Sequence, residues 1–194
     1  WGCVFCAIAA LCIFLSSNYD REKRRYLILM ESFASLLLLM DAMAHIFIGY
    51  PGVPGSVMVR ISSFLVFLLS DVVLLCFHIY VCVYLFSKRE RRTLKRVKAG
   101  YVIAAAEVAF VVISQFTHWY YYIDVDNYYH RAPLYIMSIL LPAAGLLIDL
   151  TLLLQYKKRV SRKLLFSMLS CIVLPAVAAA VQEFWYGMSL IDFS

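Results

Sequence analysis

Ionisable residues that interrupt long apolar runs are the residues of this 194-residue chain that could do chemistry. They are Glu31, Asp71, His78, Glu107 and Asp149. A charge at the middle of a bilayer costs at least about 2.5–3.5 kcal/mol, so such residues face one another or a water-filled cavity. They could carry a proton or a cation, or they could hold neighbouring helices in register through hydrogen bonds.

Helical spacing places these residues on polar stripes. At about 100° per residue, Glu31, Asp41 and His45 fall within an arc of roughly 80°. Each stripe must point away from lipid. Four predicted helices carry one, and their members are Glu31, Asp41 and His45; Arg60, Asp71 and His78; Glu107 and His118; and Asp149 with Ser138.

The composition requires lipid as the solvent of these helices. Hydrophobic residues make up 64% of the chain and charged residues 15%, against about 45–50% and 25% in soluble domains. Because about 20 apolar residues cross the hydrocarbon core, we predict an all-α, polytopic membrane bundle of six transmembrane helices, forming one domain over residues 1–194. A further helix is expected after Ser194. The predicted spans are about 1–16, 26–49, 58–86, 99–118, 132–155 and 164–186, with kinks at Pro142 and Pro175.

The basic residues predict the orientation of the bundle. Of the 18 Lys and Arg residues, 16 lie in the segments 17–25, 87–98 and 156–163, whereas the alternating connectors 50–57 and 119–131 contain only Arg131. Short loops rich in Lys and Arg stay in the cytoplasm. We therefore predict a multi-pass plasma-membrane protein with its N-terminus outside and its basic loops inside.

This topology brings a second set of polar and aromatic residues to the outer ends of the helices. Their mixed charge predicts a pocket for a small polar or zwitterionic ligand, and the tyrosine-rich segment 119–131 could cover it as a lid. A belt of aromatic residues at the lipid headgroups and a snorkelling Arg60 are the alternatives. The predicted ligand-binding residues are Asp41, His45, Arg60, His118, Trp119, His130, Arg131, Glu183 and Tyr186.

Other classes of ligand are not indicated. Asp41, His45, His118 and Glu183 could in principle bind a metal, but they lack ligand spacing, so no metal or cofactor is predicted. Cys3 and Cys6 form a C-x-x-C that we interpret as lipid-facing, because a thiol in an apolar stretch behaves as a small hydrophobe. The net charge of +6 reflects membrane orientation, so nucleic acid is not a predicted partner.

Three segments resemble the multi-helix membrane input regions of Firmicutes diguanylate cyclases and sensor histidine kinases. Residues 127–134, NYYHRAPL, resemble an N-Y-H-R-[G/A]-P element, and residues 182–190, QEFWYGMSL, resemble Q-x-x-F-Y-G-x-S-L. Residues 37–45, LLLMDAMAH, are similar to an L-x-x-x-D helix. The likeness runs from about residue 20 to 190. Ala132 stands where glycine is frequent, and the chain has no phosphate-accepting His segment or GGDEF motif, which leaves the output module undetermined.

The resemblance implies a sensory domain of about seven helices, normally a homodimer, that binds a small extracellular ligand and signals to a cytoplasmic kinase or cyclase. No catalytic motif occurs in these 194 residues, so we expect this region not to be an enzyme. A small transporter or channel subunit, with polar helix faces lining a conduction path, is the alternative. An intramembrane enzyme would need a nucleophile or metal constellation that the spacing does not provide.

Overall fold

The computed structural model describes residues 2–15 and 20–189; in the last helix, side chains are described for residues 162–174 and 177. Seven α-helices and one β-hairpin make up this part of the chain. In chain order they are α1 (Gly2–Leu15), α2 (Arg21–Phe47), α3 (Val53–Leu85), α4 (Lys88–Thr93), α5 (Lys95–Thr117), β1 (Tyr121–Ile123), β2 (Tyr129–Arg131), α6 (Met137–Gln155) and α7 (Arg162–Ser189).

Four of the helices, α2, α3, α5 and α6, are long and apolar enough to cross a membrane. The prediction of an all-α fold with membrane-crossing helices is confirmed at this level. Helix α1 has 14 residues, fewer than the about 20 that a span needs, and α7 is described only in part. Six spanning helices therefore stay a prediction. The further helix expected after Ser194 also stays a prediction.

Two predicted connectors contain regular structure. The segment 119–131 forms an antiparallel hairpin in which Tyr121 pairs with Arg131. In the segment 87–98, Ser87 begins the short helix α4 with a capping box, in which its hydroxyl accepts from the Glu90 amide and the Glu90 carboxylate accepts from the Ser87 amide. Such reciprocal bonds satisfy backbone donors that a helix start leaves unpaired, so a run of charged residues can be helical.

Ion pairs join the three basic segments at one end of the bundle, here called the basic end. The Arg91 guanidinium lies 3.0 Å from the Glu22 carboxylate, and that of Arg159 lies 3.0 Å from Glu90. Arg159 also donates to the carbonyl of Leu85, at the end of α3. Since α2, α4 and the turn before α7 are linked in this way, the basic residues converge as the charge pattern requires. The opposite end, which carries β1 and β2, is called the hairpin end.

The apolar core consists of two clusters. The larger one joins α3, α5, α6 and α7 toward the basic end, and its fully buried members include Val81, Cys82, Val97 and Leu153. The smaller one lies at the hairpin end, where Tyr120 and Tyr121 pack with side chains of α3 and α5. A cavity lies between α2, α3, α5 and α6, beside the smaller cluster.

Candidate functional site

A cavity of about 420 Å³ separates α2, α3, α5 and α6 on the hairpin side of the larger core cluster. Three carboxylates line it, one from each of three helices: Asp41 of α2, Asp71 of α3 and Glu107 of α5. The remaining described lining is aromatic, aliphatic or hydroxylated, with no basic side chain. This volume lies in the range of about 300–1,000 Å³ typical of small-molecule sites.

Asp71 is the unusual member of this set. Its side chain is buried, with 5% of the residue surface exposed, and its Oδ2 atom has no hydrogen-bond partner in the described part of the chain. Nearly all buried polar atoms of native proteins have a partner, and an unpaired one calls for an explanation. The Glu107 carboxylate is close enough to interact electrostatically with Asp71. Two adjacent acids therefore face a space that the described residues do not fill.

Aromatic rings form the wall of the cavity nearest the hairpin. Phe67 of α3 stacks on Tyr121 with ring centroids 5.4 Å apart, and it also meets Tyr120 and Tyr135. Phe67, Tyr120 and Tyr135 all line the cavity. Burial raises the pKa of Tyr120 to about 12, so its hydroxyl stays neutral and can donate a hydrogen bond at physiological pH.

Backbone geometry brings Tyr120 into this wall. His118 ends α5 in a left-handed conformation, with φ of 56°, which turns the chain sharply. The amide of Tyr120 then donates to the Ser114 hydroxyl over 2.9 Å. Ser114 is buried on the same face of α5 as Glu107, so one face positions both an acid and a ring of the cavity.

Pro142 of α6 lies on the wall of the cavity, as does Ser138 four residues earlier. It lies inside the helix and has no N–H, so the carbonyl of Ser138 loses its helical donor. The predicted kink therefore falls beside the acidic site. Pro175 lies within α7, but its side chain is outside the described part.

Toward the basic end, His78 of α3 and Asp149 of α6 form a buried pair. The His78 Nδ1 atom lies 2.6 Å from Asp149 Oδ1, and both side chains are at most 5% exposed. On the other side of the ring, Nε2 lies 3.2 Å from the carbonyl oxygen of Val97. The Cys82 Sγ atom also lies 3.6 Å from Nε2. A carbonyl can only accept, so a hydrogen on Nε2 is what satisfies Val97. The proton between Nδ1 and Asp149 then makes the pair either imidazolium and carboxylate or two neutral groups.

Gly100 lets this pair form. A Cβ atom at position 100 would collide with the imidazole of His78, so only glycine allows α5 to approach α3 this closely. Tyr101 packs its ring edge against the same imidazole, with centroids 5.0 Å apart. The histidine is thus enclosed by two neighbouring helices, α5 and α6.

A second, smaller cavity is lined by residues of both acidic regions. It has a volume of about 20 Å³, and its lining includes Glu107, His78 and Asp149. A space of this size holds about one water molecule if polar partners surround it. Because Glu107 and Pro142 line both cavities, the His78–Asp149 pair lies one water-sized space from the larger cavity.

The β-hairpin lies over this end of the bundle, and two hydrogen bonds hold it against the connector between α2 and α3. The side-chain amide of Asn127 donates to the Tyr50 carbonyl over 2.9 Å, and the Gly49 amide donates to the Asn127 carbonyl over 3.1 Å. Gly49 has φ of +69°, and a Cβ there would press on the Tyr128 ring. The Asn-Tyr-Tyr part of the NYYHRAPL segment thus has a structural role in docking the hairpin.

Asp124 organises the hairpin turn. Its carboxylate accepts from the amides of Asp126 and Tyr128 and from Nε2 of His130, the last over 2.8 Å. The His130 hydrogen bond and then the Tyr128 amide hold the pKa of Asp124 below its ordinary value. Bonding of its carboxylate within the turn thus accounts for Asp124 in this segment.

Of the predicted ligand-binding residues, Asp41 is the one that lines the large cavity. It also lies 3.8 Å from the exposed His45, one turn away. Arg60 is exposed and near Tyr121, and no ion pair of Arg60 occurs within the described part of the chain. The other members with described side chains lie in or beside the hairpin, outside the cavity lining: His118, Trp119, His130 and Arg131. The side chains of Glu183 and Tyr186 lie outside the described residues.

The five intramembrane polar residues divide into three groups. His78 and Asp149 pair with each other, while Asp71 and Glu107 line the large cavity. Glu31 lies beside the Cys6 thiol of α1.

The C-x-x-C of α1 therefore differs from its lipid-facing interpretation. Cys3 also contacts α2, since the Ser35 hydroxyl donates to its carbonyl over 3.0 Å. Both cysteines are half-buried free thiols that dock α1 onto α2 through their polar atoms.

The sequence pattern does not indicate the aromatic wall, because Phe67 sits in a continuous apolar run and nothing in the spacing separates it from lipid-facing neighbours. The polar stripe that Ser138 shares with Asp149 indicates that Ser138 points away from lipid but not that it lines a cavity. The pattern likewise indicates Asp71 and Glu107 as intramembrane polar residues and not as part of the ligand pocket.

No family model, curated protein or solved structure matches the chain. The described residues also contain no group of three or more His, Cys, Asp and Glu side chains arranged to hold a metal. The chain is thus a helical bundle compatible with a membrane. The bundle contains an acidic and aromatic cavity.

The close approach at Gly100 yields a stability prediction. Gly100→Ala forces the His78 ring to move, and overpacking of this kind costs about 1–3 kcal/mol. We expect a lower unfolding midpoint in detergent micelles, measured by circular dichroism. Gly145→Ala is the matched control, since a Cβ there meets the nearest atoms at 3.9 Å, an ordinary contact. Equal midpoints for the two variants would contradict the proposed steric role of Gly100.

The hairpin yields a prediction of pH dependence. Because the pKa of Asp124 is lowered in the folded turn, its contribution is fully present above the carboxyl's ordinary pKa. It is lost as the pH falls through the lower, folded value. We expect amide hydrogen exchange at Tyr128, corrected for intrinsic rates, to accelerate below about pH 4. Asp124→Asn should remove this dependence and the exposed Asp126→Asn should retain it. Identical profiles in all three proteins would exclude Asp124 as the titrating group.

Proposed function

We propose that this chain is a membrane-embedded sensory domain that binds a small ligand from outside the cell and signals to a cytoplasmic kinase or diguanylate cyclase. The observation that carries the proposal is the 420 Å³ cavity with the unpartnered carboxylate oxygen of Asp71. A ligand donor would satisfy that oxygen. The resemblance of three segments to bacterial input regions supports the signalling part, and a cytoplasmic output module encoded after Ser194 is its further expectation.

The position of the cavity suits a sensor. It contacts α2, α3, α5 and α6 together, so a ligand bound there can distinguish two arrangements of these helices. A ligand shifts a conformational equilibrium only by its difference in affinity for the two states. Pro142, where a kink is predicted, lies on the cavity wall and provides a place where α6 can bend. We propose that the domain acts as a homodimer, as the resemblance implies, and that this 194-residue region does not itself catalyse a reaction.

The proposed orientation puts the hairpin end outside the cell and the basic end in the cytoplasm. It is supported by the convergence of the three basic segments through the Glu22–Arg91 and Glu90–Arg159 pairs, because Lys- and Arg-rich loops remain cytoplasmic. In this orientation the cavity lies in the outer half of the bundle, beneath the hairpin, in a multi-pass protein of the plasma membrane.

A small transporter is the second candidate function. The observation in its favour is the 20 Å³ cavity that Glu107 and the His78–Asp149 pair line together. Acid and histidine side chains in series are typical of proton pathways in transporters. The sensor proposal, by contrast, needs binding without passage through the bundle.

Flux measurements distinguish the two functions. Purified protein is reconstituted into liposomes that hold a pH-sensitive dye, and a proton gradient is applied with potassium and valinomycin to remove the counter-potential. The sensor proposal expects proton entry equal to that of protein-free liposomes. Sustained entry that disappears in Asp71→Asn or Glu107→Gln would overturn it in favour of transport.

Orientation is tested by labelling engineered cysteines in intact cells. Val125 is 96% exposed at the tip of the hairpin, and Thr93 is exposed at the end of α4. A membrane-impermeant maleimide should modify Val125→Cys and leave Thr93→Cys unmodified until the cells are permeabilised. Peptide mass spectrometry separates these sites from the native cysteines. The reverse pattern would invert the topology and place the cavity on the cytoplasmic side.

A further inference from the structure

We infer that the cavity between α2, α3, α5 and α6 takes a small organic cation, an ammonium with an apolar arm, bound by the carboxylates of Asp71 and Glu107. This inference rests on the proposed function, because it specifies the chemical class of the ligand that the sensory cavity would bind. It replaces the broader class of polar or zwitterionic ligands, which the sequence predicts, with organic cations.

The charge of the cavity lining favours a cation. The ionisable groups that line the cavity are the acids Asp41, Asp71 and Glu107 and the phenols Tyr120 and Tyr135. No Lys, Arg or His is among the described lining residues, so the carboxylate of a zwitterion or an anion would have no basic partner there. A cation would instead relieve the repulsion between two neighbouring acids.

The unpartnered carboxylate oxygen of Asp71 also favours a cation. Asp71 Oδ2 is buried without a donor in the described part of the chain, and a buried unpaired carboxylate oxygen is costly. An ammonium N–H group donates to such an oxygen in a charge-assisted hydrogen bond, which is stronger than a neutral one. The lone acceptor therefore matches a charged donor better than it matches a hydroxyl.

The aromatic wall of the cavity favours a cation as well. Phe67, Tyr120 and Tyr135 line the same cavity, and the faces of aromatic rings attract ammonium and guanidinium groups. The Tyr135 ring already does so within the chain, since the Arg131 guanidinium lies 4.5 Å over it. Arg131 itself is not among the lining residues. Rings beside carboxylates favour an organic ammonium over a compact, strongly hydrated metal ion.

The size and the remaining lining complete the description of the ligand. A volume of about 420 Å³ exceeds what a bare metal ion fills and suits a small organic molecule. Leu37, Leu74 and Val111 supply apolar surface to the same cavity, one helical turn from the acids. An ammonium carrying an aliphatic or aromatic arm would satisfy both surfaces.

Cation preference is tested with two thiol reagents of similar size and opposite charge. A cysteine is placed in the cavity as Ser138→Cys, and the purified protein in nanodiscs at pH 8 is treated with a trimethylammonium-bearing methanethiosulfonate or a sulfonate-bearing one. Peptide mass spectrometry follows the modification of position 138. Val125→Cys, exposed on the hairpin, gives the intrinsic ratio of the two rates.

We expect the cation-to-anion rate ratio at position 138 to be at least tenfold higher than at position 125. Asp71→Asn and Glu107→Gln, each combined with Ser138→Cys, should lower the ratio toward the value at position 125, whereas Asp126→Asn on the hairpin should leave it unchanged. If one acid variant fails to fold, the other still measures the contribution of a cavity carboxylate.

The contrary outcomes separate the two proposals. Modification by both reagents with the same ratio at positions 138 and 125 would overturn the cation inference and leave an accessible ligand cavity. A ratio that stays high in both acid variants would also overturn it, because the preference would then arise elsewhere. No modification of position 138 by either reagent would overturn the proposed function together with the ligand class, since the cavity would then be closed to solutes.

Discussion

The buried contact between His78 and Asp149 constrains the packing of three helices. It joins α3 to α6 over 2.6 Å, and the Val97 carbonyl on the far side of the imidazole adds α5. Removing one member of a buried pair typically costs about 3–5 kcal/mol, because the other is left without compensation. The three helices therefore have to meet at this depth with these faces together, and Gly100 is the residue that makes the distance short enough. The larger core cluster then packs around the contact.

The acids of the bundle differ in whether the chain supplies their partner. Asp149 has His78, Glu22 has Arg91, Glu90 has Arg159 and Asp124 has His130. Asp71 lies two helical turns from His78 on the same face of α3, roughly 10 Å along the axis, yet one of its oxygens has no partner in the described residues. The cavity lies beside Asp71, one level along α3 from the pair. A satisfied pair and an unfilled cavity thus lie at successive levels of the same polar stripe.

Much of this arrangement could be predicted from the sequence, and the reasons for the rest are physical. Apolar runs of about 20 residues and the clustering of Lys and Arg indicate the helices and the convergence of the basic segments. The periodicity of Arg60, Asp71 and His78 indicates a polar face of α3 but not what packs against that face. Whether that face meets Asp149 or a cavity depends on the packing of helices distant in sequence. Phe67 and Leu74 belong to the cavity for the same reason, and a single helical period cannot distinguish them from residues that face lipid.

The hairpin illustrates a different limit. Residues 119–131 contain too many polar groups to span a membrane, which is visible in the sequence, but their fold depends on specific pairs: Asp124 with His130 and Asn127 with Tyr50. Asn127 takes a positive φ of 65°, which Asn tolerates better than most residues, so one position of the turn is encoded locally. Its attachment to the connector between α2 and α3 is encoded 77 residues away. Local rules therefore predict that this segment turns, whereas long-range contacts decide that it docks over the cavity.

The route by which a ligand could affect the basic end follows from the two adjoining cavities. Glu107 lines the large cavity and also the space of about 20 Å³ that reaches His78 and Asp149. Charges interact more strongly in a low-dielectric interior than in water, so neutralising Glu107 changes the electrostatic energy of a pair only one water-sized space away. That pair holds α3, α5 and α6 together, and the ends of these helices lead into the Glu90–Arg159 and Arg96–Gln155 contacts of the basic end. A cation bound under the hairpin would therefore act on the contact that fixes the packing of the bundle without crossing it, and this is the property that a sensor requires.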